Sequence, residues 1–134
     1  TRWARWAWMA ATMALMSGCA TGPSASDREA QQVMQRANQR WQALIDGETK
    51  VAYELNAPSY RAVVTQQSFR RRFGNGPWIK AEALKAECEL EKCNVRISMT
   101  YQAPMIRIDG GKMTTSIQET WIKEDGQWWY LPRP

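Results

Sequence analysis

The stretch LKAECELEKCNVRISMTY, Leu84 to Tyr101, alternates apolar and polar side chains on both sides of a charged centre. Such a period of two is the signature of paired, half-buried strands. Folding the stretch about a loop from Glu89 to Lys92 sets Cys88 opposite Cys93, Ala86 opposite Val95 and Leu84 opposite Ile97. All three pairs are apolar and share one face, so the register is self-consistent. Carried two residues further, the same register sets Glu82 opposite Met99 on that face.

The pattern continues toward the C-terminus. Met113 to Lys123 alternates Ile117, Glu119 and Trp121 on one face with Gln118, Thr120 and Ile122 on the other. Asp125-Gly126 is a type I′ hairpin dipeptide, which turns the chain into a last strand, Trp128 to Leu131. Pairing Lys123 with Trp128 groups Trp128 with Trp121 and Tyr130. Of the neighbours Trp128 and Trp129, alternation sends one ring inward and the other outward, where an aromatic ring often marks a contact surface.

Upstream of the hairpin the period is helical. Val33, Ala37, Trp41, Leu44 and Ile45 fall at helix spacing between a capping box, Ser26 with Glu29, and a stop at Asp46-Gly47. Glu48 to Leu55 reads as a second short helix, ended before Pro58. Ser59 to Phe73 reads as a third, and Gly74 to Pro77 breaks the chain. Helices followed by an antiparallel meander define an α+β domain, with helices on one side of a curved sheet.

The chain has 134 residues and a formal charge of +5, and its first 18 residues contribute Arg2 and Arg5 to that excess. The remainder suits one domain with one core, and its mild positive balance is below a nucleic-acid footprint. Histidine is absent. Its absence excludes Ser/His and Cys/His nucleophile pairs and imidazole metal ligands. Of the eight tryptophans, five lie beyond residue 18 and offer large rigid surfaces for a core or a cleft.

Arg2 and Arg5 precede an apolar segment, Trp6 to Leu15, of signal-peptide length and too short to span a bilayer. Met16-Ser17-Gly18-Cys19 follows. Small residues before a cysteine, with an apolar one ahead of them, resemble the lipobox of bacterial lipoproteins, although Met16 stands where leucine is most usual. The chain opens on Thr1 rather than a methionine, which points to a longer basic region upstream. The resemblance implies removal of residues 1–18, acylation (palmitate among the chains) of Cys19, and residues 19–26 as a flexible tether to a domain over 27–134. With Ala20 rather than Asp after the cysteine, it also implies the periplasmic side of the outer membrane. Gly, Pro and Ser in the tether bury too little to order themselves. The other reading is an apolar helix over residues 3–16 with an unmodified thiol at Cys19.

In such a compartment disulfides persist, and Cys88 and Cys93 face each other across the hairpin. A metal site is the rival reading. Two thiolates with no histidine leave it half-built, so no metal or other cofactor is expected.

Three helices, a long hairpin, a further strand and a terminal hairpin ending ETWIKEDGQWWYLP resemble the NTF2-like superfamily, also called cystatin-like or SnoaL-like. The first helix followed by Asp46-Gly47-Glu48, and the spacing Trp121 to Gly126 to Trp128, carry the likeness, which covers about residues 27–132. The resemblance implies a bent sheet wrapped about the first helix to form a cone whose open end can hold a ligand. Members include enzymes, binding modules and assembly proteins, so fold alone leaves activity open.

By that resemblance, an acid or base with tyrosines would sit inside the cone. Glu82 and Glu119 are the inward carboxylates, with Tyr101 as a partner, and Trp41, Tyr53, Tyr60 and Trp121 are the pocket candidates. A carboxylate on an apolar face has its pKa raised toward that of a base. Equally, Arg61 or Arg107 would pair with either glutamate and make its role structural. Arg70-Arg71-Arg72 would meet anionic groups at an envelope surface, or would be a solvated helix end complementing the helix dipole. The sequence thus points to an envelope lipoprotein with a non-catalytic role, either binding a small apolar ligand or docking an envelope protein. A small lyase or isomerase using a cone carboxylate is the alternative, and no nucleic-acid partner is expected.

Overall fold

The computed structural model describes Cys19 and residues 21–133; the segment read as a leader lies outside them. Four helices, α1 (Ala25–Ile45), α2 (Thr49–Glu54), α3 (Pro58–Val63) and α4 (Gln66–Phe73), precede four strands. These are β1 (Trp78–Glu89), β2 (Lys92–Gln102), β3 (Lys112–Glu124) and β4 (Gln127–Leu131), paired antiparallel in the order β1-β2-β3-β4. Among the described residues, no helix is long and apolar enough to cross a membrane.

The long helix begins two residues earlier than its sequence suggests. Ser24, not Ser26, caps it: Ser24 Oγ accepts from the Asp27 N–H at 3.1 Å, and the Asp27 carboxylate accepts from the Ser24 N–H. Asp27 is three residues from Ser24 and completes both halves of the box, leaving Ser26 inside the helix. At the other end Gly47 takes a φ of 77°, the left-handed turn that Asp46-Gly47 anticipated.

The single helix expected over Ser59 to Phe73 is two. Val64 is extended, with φ −114° and ψ 119°, and Thr65 caps α4 through the Ser68 N–H. Val63-Val64-Thr65 is β-branched throughout and resists a continuous helix. The Tyr53 hydroxyl donates to the Val64 carbonyl at 2.7 Å, giving one exposed end of the break a partner.

Val33, Ala37, Trp41 and Leu44 of α1 pack on Cys93, Val95, Ile97 and Met99 of β2 and on Trp121 and Trp128. The Val, Leu, Ile and Met side chains among these each contribute about 1.5–3 kcal/mol on burial. Trp128 is the inward member of the tryptophan pair, and Trp129 lies on the other side. Trp129 is half-buried rather than exposed, because the guanidiniums of Arg36 and Arg61 lie 5.1 and 5.3 Å from its ring centroid. These two cation–π contacts tie α1 and α3 to β4. The free edge of β4 is covered as well: the link between α2 and α3 bonds to it, Ala57 N–H to Tyr130 O at 2.7 Å and Tyr130 N–H to Leu55 O at 2.9 Å.

The hairpin register is observed near its tip and slips further down. Cys88 pairs with Cys93 and Ala86 with Val95, and the two cysteines form a disulfide. Beyond them Ile97 faces Ala83, not Leu84, because Leu84 is an extra residue in a β-bulge and is 55% exposed. The bulge also has a partner on α1: the Ala83 N–H donates to Asn38 Oδ1 at 2.7 Å. A shift of one residue exchanges the faces of everything upstream. Ala81, rather than Glu82, therefore lies opposite Met99.

Candidate functional site

A cleft of about 280 Å³ opens between α1, α4 and the end of β4, at the low end of small-molecule sites. Helix α1 supplies Arg40, Trp41 and Leu44 to its wall, and α3 and α4 supply Tyr60, Phe69, Arg72 and Phe73. Trp78 enters from the start of β1, Ile117 to Thr120 from β3, and Tyr130 to Arg133 from β4 and the tail. Trp78 lies edge-on to Trp41, with centroids 5.5 Å apart, and runs nearly parallel to Phe73 at 6.3 Å. Offset aromatic arrangements of this kind make a rigid apolar wall.

Glu119 lies at the base of the cleft and is 3% exposed. Its Oε1 accepts from Arg40 Nη1 at 3.1 Å and from Trp41 Nε1 at 2.8 Å, and its Oε2 accepts from Trp121 Nε1 at 3.0 Å. Burial raises its pKa, opposed by Arg40 and then by the two indoles. Every named partner is a donor, an arrangement suited to an ionised carboxylate. Arg40 is sealed in with it, its guanidinium 3.9 Å from the Tyr130 ring centroid.

The sequence-derived candidates are placed unevenly. Trp41, Tyr60 and Glu119 line the cleft. Trp121 stands behind it, fully buried, and orients Glu119. Tyr53 packs on Phe69 and spends its hydroxyl on the α3–α4 break. Tyr101 pairs with Trp78 across the strands and donates to Met113 Sδ at 3.7 Å, outside the cleft. Glu82 is on the outer face, pairing with Ser98 and lying 3.8 Å from Lys80, so its inward placement is corrected by the bulge at Leu84. Cys19 is an exposed free thiol ahead of α1.

Within the arginine run, Arg71 bonds Ser68 at the helix surface, while Arg72 lies over Phe73 and reaches the cleft. Arg40 escaped the sequence reading, although its position was legible. It falls at helix spacing from Val33 and Ala37, which puts a charge on the apolar face of α1. Burial raises the pKa of Tyr60 and Tyr130, opposed by nearby arginines, and keeps both phenols as hydroxyl donors at neutral pH. Among the described residues no group of three or more cysteines and carboxylates is placed to hold a metal.

Solved structures share this architecture. A SEC-C motif containing protein from Rhodopseudomonas palustris matches with a TM-score of 0.54 and 14% identity over 69% of this chain and 70% of its own. A second, from Psychrobacter arcticus, matches at 0.55 and 12%, over 69% of this chain and 54% of its own. A Campylobacter jejuni protein named as an NTF2-like transpeptidase matches at 0.52 and 12%, over 74% of this chain and 96% of its own. No family model matches the sequence, and no curated protein matches it. The domain has an NTF2-like α+β fold, with helices packed on an open antiparallel sheet. At these identities the likeness is one of fold alone.

Proposed function

We propose that this protein is an envelope lipoprotein, anchored through acyl chains on Cys19 at the periplasmic face of the outer membrane, whose domain holds a small apolar ligand without transforming it. The observation that carries the binding reading is an aromatic-walled cleft whose buried carboxylate is already occupied. Glu119 accepts N–H bonds from three side chains, which leaves it poorly placed to take a proton from a substrate. Glu82, the other carboxylate considered for a lyase or isomerase, lies outside the cleft. A ligand is favoured over docking through the aromatic hairpin because Trp128 is buried and Trp129 is covered by Arg36 and Arg61.

Support for the anchor comes from Met16-Ser17-Gly18-Cys19 and from the residues after it: Thr21 to Ser24 are exposed and outside any helix or strand, and the domain's first helix starts at Ala25. Two or more acyl chains make anchoring stable, at about 0.8 kcal/mol per buried methylene.

The binding reading is tested by titrating the purified protein with two naphthalene probes, 1-naphthalenemethanol and 1-naphthoate, while following the indole N–H resonances of Trp41 and Trp78. Saturable shifts of these resonances with at least one probe are expected. A flat response to both overturns the reading.

A further inference from the structure

Resting on the binding reading above, we propose that the cleft selects a small organic carboxylate: a flat apolar body held against Trp78 and Phe73, with the acid group facing arginines. Among the described residues, the charges at the site do not balance. Arg40, Arg72 and Arg133 line the cleft against one carboxylate, Glu119, which is engaged with Arg40 at 3.1 Å. Among the described residues, no carboxylate lies within ion-pair distance of Arg72 or Arg133. Two guanidiniums without a carboxylate partner among the described residues, set at an apolar cleft, create a positive potential, and their planar forks match a carboxylate.

The interior adds a second, independent observation. Arg40 Nε is buried with no acceptor, and Asn56 Oδ1 is buried with no donor, although the Asn56 amide nitrogen bonds the Ala52 and Tyr53 carbonyls. Buried polar atoms are rarely left so, and both residues border the same space. A carboxylate oxygen would supply the acceptor that Arg40 Nε lacks, and a ligand hydroxyl or a water would supply the donor for Asn56. The protonated phenols of Tyr60 and Tyr130 add hydroxyl donors on the same wall.

The experiment compares the dissociation constants of 1-naphthoate and 1-naphthalenemethanol, which share a ring system and differ in charge. The carboxylate is expected to bind at least about tenfold more tightly. Arg72→Gln and Arg133→Gln change exposed side chains, so the fold is retained. Each is expected to weaken 1-naphthoate about fivefold or more and to leave the alcohol unchanged, whereas Arg96→Gln on the outer face changes neither. Alcohol binding as tight as that of the carboxylate, or a preference that survives both cleft substitutions, overturns the anion selectivity and leaves the binding reading standing. Binding of neither probe overturns both.

Discussion

Arg40 and Glu119 meet at 3.1 Å inside the domain, with side chains only 4% and 2% exposed. Each offsets the desolvation of the other, and removing one leaves a buried charge unpaired. Arg40→Met or Glu119→Leu alone is therefore expected to cost about 3–5 kcal/mol, and the double substitution far less than the two added together. Equilibrium urea denaturation of the four proteins measures this coupling. Strictly additive costs would mean that the pair is not a unit.

Burial sets the sign of the pH dependence at Glu119. Its folded-state pKa is raised above the ordinary 4.5, so the folded protein binds this proton more readily than the unfolded chain. The contribution of Glu119 to stability is then fully present below pH 4.5 and is lost as pH rises through its folded value. Carboxyl-carbon NMR should give a midpoint above 4.5, moved higher by Trp41→Phe, which removes a donor. Asp27 behaves oppositely: its bonds with Ser24 lower its pKa from 3.8, so its contribution is present above 3.8 and is lost as pH falls through the folded value. Ser24→Ala should return the Asp27 midpoint toward 3.8.

Leu84 marks where sequence periodicity stops being sufficient. The alternation from Ala86 to Val95 is local and regular, so the hairpin, the disulfide and the α+β order were legible in it. The bulge was not, because it is stabilised by a contact 45 residues away in sequence, Asn38 to the Ala83 N–H, and its consequence was to put Glu82 on the wrong face. Arg40 was missed for a related reason: a charge on an apolar helix face becomes intelligible once its partner on a distant strand is known. Deleting Leu84 should remove the extra residue and leave Ala83 and Ala81 opposite Ile97 and Met99, so simple alternation is restored with Glu82 still on the outer face. The expected outcome is that the deletion variant keeps a cooperative thermal transition, and Leu84→Lys, at an exposed position, should change stability by less than about 0.5 kcal/mol. A deletion variant that loses its cooperative transition would show that Leu84 is not a simple extra residue in the strand.

Cys88 and Cys93 are five residues apart, so their disulfide closes a short loop. Restricting so short a loop in the unfolded chain is worth about 2 kcal/mol. Denaturation with and without a reducing phosphine should differ by about that amount, with the fold kept in both states. Unfolding on reduction would assign the disulfide a larger role than loop closure.

The anchor is the part of the proposed function on which cellular location depends, and one peptide tests it directly. Trypsin cleaves after Arg28, which isolates Cys19 to Arg28 as the mature N-terminal fragment. Mass spectrometry of the membrane-extracted protein should find this fragment beginning at Cys19 and carrying acyl chains on it. An unmodified Cys19 preceded by uncleaved Gly18 would contradict the lipoprotein reading.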